Sequence, residues 1–396
     1  MEQPLEGITV LDFGQIYNGP YCGFLLAQAG ARVIKVESPV GEALRSRGRA
    51  SAASYAFALL NSNKECITLN IKSEEAQKLL RRLVLSADVL LENFAPGTMD
   101  RYGIGSAALL KENPRLIYAA GTGYGATGPH RNYLGMDITI QAMSGIMSIT
   151  GQEGSPPTKT GAALCDFLGG VHLYGAIVTA LYQRQTTGEG AVVDISMQDT
   201  VFPTLATALG AYFHAGGVQG PRRGSRHPGL SLAPYNVYQA ADGHVAMICI
   251  REGHWQNLVE AMQRPELLQR SEFADMASRA TNMDAVDAEV ESWTRELSRD
   301  EIFRVLQKHN VICASVQSLE DVVNDPHMHE RGTLQWRSHP TLGQIVLFQT
   351  PLRFKGVEPP ALTDVAELGA HTHAVLRELA GLDDAAIEAL GSADAI

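Results

Sequence analysis

Five cysteines in 396 residues, none in a CxxC pair, leave little with which to build a covalent frame or a zinc site. Cys22, Cys66, Cys165, Cys249 and Cys313 are widely spaced, which reads as reduced thiols and sets the expectation of a cytoplasmic protein. Positive charge is short as well: 32 Lys and Arg against 43 Asp and Glu give a formal charge of −11. Nucleic acid and anionic membranes select basic footprints, so neither is an expected partner, and a polyanionic ligand needs a local basic patch. No apolar run approaches the roughly 20 residues of a membrane helix, and Met1-Glu2-Gln3-Pro4 lacks a signal-peptide pattern. The histidines show no ligand spacing. His327-Met328-His329-Glu330, beside Asp325-Pro326, reads as a solvated turn, so no metal is expected. Internal repeats and low-complexity tracts are missing too.

What is present is an ordinary globular composition, with 45% apolar and 19% charged residues, on a chain long enough for two or three domains. The start predicts a βαβ unit: strand Ile8 to Phe13, a helix from Tyr21 ended by Gly30, and strand Arg32 to Val36. Further strands are expected at Cys66–Leu69, Asp88–Leu91, Leu116–Ala120 and Ala191–Ile195, with helices near Glu74–Ala87, Asp137–Ile149 and Phe167–Gln185. That alternation predicts an α/β fold with a mostly parallel sheet covered by helices. Gly121–Gly135, with five glycines, is expected as loop. The organisation expected is 1–215 as the N-terminal part of a large domain, 216–232 as linker, and 233–325 as a smaller α/β domain. Residues 326–396 then form a linker and a C-terminal part returning to the large domain.

The βαβ start invites a dinucleotide site, with Glu37 ending the second strand. The turn, Gly14-Gln15-Ile16-Tyr17-Asn18-Gly19, is neither GxGxxG nor a P-loop, so the backbone lacks the close-set glycines a pyrophosphate needs. More informative is Ala162-Ala163-Leu164-Cys165-Asp166-Phe167-Leu168-Gly169-Gly170, where an apolar run delivers one acid to a helix start, followed by small residues. Asp166 is either a helix N-cap or a carboxylate held ionised by helix N–H groups and aimed at a substrate. Cys165 is the rival nucleophile, without an evident activating histidine.

Several short stretches, in order and spacing, resemble the class III CoA-transferase (CaiB/BaiF) family over nearly the whole chain. They include Val10-Leu11-Asp12-Phe13, Gly19-Pro20, Gly30 to Glu37, Asn61-Ser62-Asn63-Lys64 and Glu92-Asn93-Phe94-Ala95-Pro96-Gly97. Asp100-Arg101-Tyr102-Gly103, Ala163-Leu164-Cys165-Asp166, Thr187-Gly188-Glu189-Gly190 and Ser196-Met197-Gln198-Asp199 complete the set. The resemblance implies a large Rossmann-like domain with a smaller one, in a homodimer of interlocked ring-like chains. It implies acyl-CoA and small carboxylic acids as partners, CoA thioesters as substrates and no permanently bound cofactor. Asp166 is then the nucleophile, passing through a mixed anhydride and an aspartyl-CoA thioester. CoA contacts fall on Gln15, Ile16, Asn18, Leu69, Lys72, Asn93, Phe94 and Arg101, with Lys72 and Arg101 facing phosphates.

The family also holds α-methylacyl-CoA racemases, which carry a histidine where Met136 stands here, before Asp137-Ile138. Methionine moves no proton, so transfer is expected over racemisation. Formyl-transferring members carry a tyrosine at that position and a glycine run not found here, so oxalate-type chemistry is not the expectation. Tyr17, Met136, Arg226 and His227 are the expected substrate contacts. The cluster Arg222, Arg223, Arg226 suits a second carboxylate on the substrate, since arginine offers a planar bidentate fork. Gly224 to Tyr235 also resembles members acting on short dicarboxylates, so succinyl-CoA is the expected donor. The acceptor expected is a C4–C5 acid such as itaconate, mesaconate, citramalate or malate. A racemase-type isomerase and a CoA-binding protein without turnover are the alternatives.

Overall fold

The computed structural model describes residues 2–46 and 52–396. Six short strands form one parallel sheet: β1 (Thr9–Asp12), β2 (Arg32–Glu37), β3 (Glu65–Thr68), β4 (Val89–Glu92), β5 (Ile117–Thr122) and β6 (Ala191–Ser196). Their order, β3-β2-β1-β4-β5-β6, is that of a doubly wound sheet. These strands are contiguous apolar runs because helices bury both faces; Val10, Leu11, Leu90 and Leu91 are all fully buried. One core fills the face under the Glu74–Leu83 helix and the C-terminal helices Thr372–Ala380 and Asp384–Ser392, so the chain's end packs beside its beginning. The other face is covered by the Asn18–Gln28 helix and the long helix Leu164–Thr187.

The long helix has 24 residues, and its mean hydropathy of 1.5 meets the composition of a membrane span. Reading the sequence for apolar runs misses it, because Asp166, His172 and the glycines Gly169, Gly170 and Gly175 interrupt the run. Here it is a core helix on β5 and β6, with Leu173 and Ile177 fully buried.

The helix expected over Asp137–Ile149 is two, Asp137–Met143 and Ile146–Ile149, because Gly145 takes φ of +87° between them. By mutual contact the chain separates into two units, Met1–Ser144 with Gly161–Phe202 and Asp325–Ile396, and Gly145–Thr160 with Pro203–Asn324. Gly145–Thr160, which the sequence pattern groups with the N-terminal part, is held in the second unit by long-range bonds. The Gly224 N–H donates to the Gly151 carbonyl at 3.0 Å and Gln219 Nε2 to the Ser148 carbonyl at 3.1 Å. The second unit has its own antiparallel sheet, β7 (Tyr235–Ala240), β8 (Gly243–Ile248) and β9 (Ile312–Ser315), and its own core around Trp255, Phe273 and Tyr238. A hairpin, β10 (Leu334–His339) and β11 (Gly343–Phe348), belongs to the first unit, where Phe348 packs 4.6 Å from the Phe24 ring.

Candidate active site

β1 pairs with β2 on one side and β4 on the other, and the connections after β1 and β4 leave towards opposite faces of the sheet. Such a switch point opens a crevice at the carboxyl ends of the strands, where doubly wound sheets bind ligands. Gln15 donates its N–H to Asn93 Oδ1 at 2.7 Å, and Asn93 Nδ2 returns a bond to the Gln15 carbonyl at 2.9 Å, tying the loops after β1 and β4 together. Ile16 sits at φ +63°, costly for a β-branched residue, and its N–H donates to Glu42 Oε2 at 3.1 Å. Buried charges underlie this loop. Lys35 donates to the Gly14 carbonyl and lies 3.8 Å from Glu42, while Lys64 donates to Asp12 Oδ2 at 2.8 Å.

Asp166 is the third residue of the long helix, not its cap; the N-cap position belongs to Ala163. The capping work falls to Asp137, whose Oδ1 accepts the Cys165 N–H at 2.8 Å while its Oδ2 accepts from Gln141 Nε2 at 2.7 Å. Among the described residues nothing donates a hydrogen bond to the Asp166 carboxylate, although the side chain is only 8% exposed. Burial, and then the negative charge of Asp137, push its pKa up to about 7. This corrects the expectation of a carboxylate held ionised by its helix: the environment makes it unusually basic. The same surroundings oppose a thiolate at the rival Cys165: burial, then the flanking Asp137 and Asp166, push its thiol up to about 12.

The next turn explains the two glycines. A Cβ at Gly169 would stand 2.2 Å from Asn18 Nδ2, and one at Gly170 would stand 2.7 Å from the Asn18 carbonyl. The Asn18–Gln28 helix therefore rests directly on the long helix, and Phe167 packs between Tyr17, at 6.0 Å, and Tyr21, at 4.9 Å. The fold thus brings the turn carrying Asp166 against the loop carrying Gln15, Ile16 and Tyr17.

The expected CoA contacts divide. Gln15, Ile16, Asn93 and Phe94 are half-buried along the crevice. Lys72 and Arg101 are exposed and, among the described residues, make no ion pair, so both cations are available to an anion. Leu69 and Asn18 lie deeper. Leu69 is 2% exposed within the core, and its N–H is spent on the Glu37 carbonyl. Asn18 is 1% exposed, with both amide atoms unpartnered among the described residues, enclosed by Gly121 and Gly169.

Met136 is exposed at the N-cap of the Asp137–Met143 helix. Arg226 and His227 lie in the second unit. Arg226 is committed within that unit, since its guanidinium reaches Asp284 and Asp287, each at 2.7 Å, so it is not a spare fork for a substrate. His227 stands edge-on to Tyr235 at 5.3 Å. Sequence reading missed Asp137, Gln141 and Glu42 as builders of the site. The one available signal was the i, i+4 pair of Asp137 and Gln141 at a helix start; Glu42 follows no pattern.

The family model for CoA-transferase family III matches residues 5–372. The succinyl-CoA:mesaconate CoA-transferase of Haloarcula marismortui is 35% identical, covering 96% of this chain and 97% of that protein. The acetyl-CoA:oxalate CoA-transferase of Acetobacter aceti is 36% identical, covering 90% of each. Among solved structures, a CaiB/BaiF family protein from Brucella suis superposes with a TM-score of 0.84 at 33% identity, over 96% of this chain and all of that one. Motifs, sheet order and comparisons agree: the chain belongs to CoA-transferase family III and is a CoA-transferase.

Proposed function

We propose that the protein moves CoA from succinyl-CoA to a C4–C5 dicarboxylate such as mesaconate or itaconate, with Asp166 as the covalent carrier. The observation that carries this reading is a buried carboxylate without a hydrogen-bond donor, basic to about 7, packed against the Gln15–Tyr17 loop. Once ionised, such a carboxylate is poorly solvated and more nucleophilic than one in water. Asp166 Oδ attacks the thioester carbonyl and the CoA thiolate leaves, giving a mixed anhydride. The thiolate then attacks the Asp166 acyl carbon, releasing the donor acid and leaving an aspartyl-CoA thioester. The acceptor carboxylate attacks that thioester, and the returning thiolate completes the exchange. CoA lies with Gln15, Ile16, Asn93 and Phe94 along the crevice and its phosphates towards Lys72 and Arg101. No resident cofactor enters these steps.

Met136 speaks against racemisation, having no proton to give. A homodimer is supported by apolar surface that the single chain leaves uncovered. The Ala206–His214 helix buries none of its residues, and Phe202, Phe213 and Tyr182 are 61%, 73% and 74% exposed. The reading places the enzyme in the cytoplasm, without nucleic-acid or membrane partners.

The test is intact-peptide mass spectrometry after mixing with succinyl-CoA and hydroxylamine. The peptide holding Asp166 should carry the hydroxamate. A modification on any other peptide, or exchange that persists in Asp166→Ala, overturns the assignment. A screen of free acids in the same assay separates the mesaconate-type acceptors from oxalate.

A further inference from the structure

The helix that carries Asp166 starts without a cap of its own. Ala163 stands at its N-cap and has no side-chain oxygen, so the first N–H groups turn elsewhere for an acceptor. Asp137 Oδ1 supplies one, taking the Cys165 N–H at 2.8 Å from 28 positions upstream. A capping carboxylate on another element serves only while that element keeps it in place.

Gln141 keeps it there. Its side chain is fully buried, and its Nε2 donates to Asp137 Oδ2 at 2.7 Å and to the Ala162 carbonyl at 3.4 Å. An amide nitrogen has two hydrogens, and here they reach both sides of the N-cap. Ala162, before the cap, is held directly; the Cys165 N–H, after it, is held through Asp137. The base is firm as well. Ile140 is fully buried, its Cδ1 3.1 Å and 3.0 Å from where a Cβ would stand at Gly123 and Gly135, and Gln198 Nε2 donates to the Met143 carbonyl at 3.2 Å. All of these residues belong to the first unit, as Asp166 does. A buried polar side chain costs free energy unless its bonds are made, and a satisfied one rigidifies what surrounds it. An apolar residue of the same length would fill this space equally well, but it would not hold Asp137.

We infer that Gln141 is a positioning residue for transfer: through Asp137 and Ala162 it fixes the first turn of the nucleophile's helix, and so the line along which the Asp166 carboxylate meets the thioester. The inference rests on the reading of Asp166 as covalent carrier and extends it to a side chain with no exposed surface. A nucleophile misplaced by about 1 Å loses on the order of a hundredfold in rate, so turnover depends on Gln141 and CoA binding does not.

The full-length enzyme, Gln141→Met, Asp137→Ala and the double variant are assayed with succinyl-CoA and the best acceptor of the acid screen, and formation of the Asp166 hydroxamate is timed in each. Gln141→Met keeps the length and burial of the side chain and removes both donors. Its kcat and its rate of Asp166 labelling should fall together by about tenfold or more, while the KM for succinyl-CoA and inhibition by free CoA stay within about threefold. On the Asp137→Ala background the same substitution should cost less than about twofold, because residues acting as one unit are not additive. Gln141→Asn, one methylene too short to span both partners, takes its place if the methionine chain does not fold, and should lose rate in the same direction. An unchanged kcat in the folded variant, or losses that multiply in the double variant, overturns the inference. A loss of CoA inhibition that matches the loss of kcat makes Gln141 scaffold alone and also overturns it. A wild-type enzyme that forms no hydroxamate on Asp166 sinks the carrier reading instead.

Discussion

Asp12 and Asp166 are both buried aspartates of the same unit, at 0% and 8% exposure, and they are treated oppositely. Asp12 accepts from Lys64 at 2.8 Å and from the Gly14 N–H at 2.7 Å, and Lys64 is in turn anchored by the Pro20 carbonyl and Asn61. Asp166 has a second carboxylate, Asp137, as its nearest electrostatic influence and no donor. A buried charge with partners on every side is scaffold: it fixes the loop of Gln15 to Tyr17 and has no reason to react. A buried charge without partners is held at high free energy, and forming a neutral acyl bond relieves it. The contrast separates what holds the site from what works in it.

The largest effect expected is on catalysis. Asp166→Ala should lower transfer by several orders of magnitude, roughly 5 kcal/mol or more of barrier, while CoA still binds. Stability should move the other way in Asp166→Asn. The folded pKa, about 7, lies above the ordinary 3.8, so folding takes up a proton between those values. The ionised group therefore weakens the fold progressively as pH rises from about 4 to 7, by on the order of 4 kcal/mol above that window. Melting curves should show the asparagine variant more stable than wild type at pH 8, the gap closing below pH 4. A variant less stable at pH 8 would break the contrast.

Lys64→Met probes the other side of it. Removing one partner of a buried pair leaves Asp12 uncompensated, which costs about 3–5 kcal/mol. Urea unfolding should register that loss, and kcat on the residual folded enzyme should change less than KM for acyl-CoA. If Lys64→Met proves neutral in stability, Asp12 and Asp166 do not differ as argued.

Asp137→Asn sharpens the comparison at smaller scale. Replacing the neighbouring charge removes the second cause of the high Asp166 pKa, so the acidic limb of kcat/KM against pH should shift below its wild-type midpoint near 7. Glu92, which burial also raises to about 7, is the control: Glu92→Gln should leave that limb in place. Smallest of all, Lys72→Ala should raise the KM for succinyl-CoA a few-fold, by about 0.5–1 kcal/mol. The effect should shrink with added salt because the side chain is exposed and screened.

Much of the sheet was legible in advance because a parallel strand buried on both faces is a short apolar run, and each run is followed by a helix. The strands at Arg32–Glu37, Val89–Glu92 and Ala191–Ser196 lie where the pattern puts them. Helix starts were less legible. The long helix begins at Leu164, which moves Asp166 from cap to third residue and hands the cap to Asp137, 28 positions upstream of Cys165.

Sequence alone determined the strand–helix alternation, the family and the motif around Asp166, since these are written in local periodicity and contiguous residues. Tertiary structure alone decided the order of strands around β1, the burial of Asn18 and Leu69, and the pairing of Arg226 with Asp287, 61 residues away. It also decided that Asp166 is basic. Burial and Coulomb interaction depend on distance through space, and a chain sets those distances only when it closes on itself.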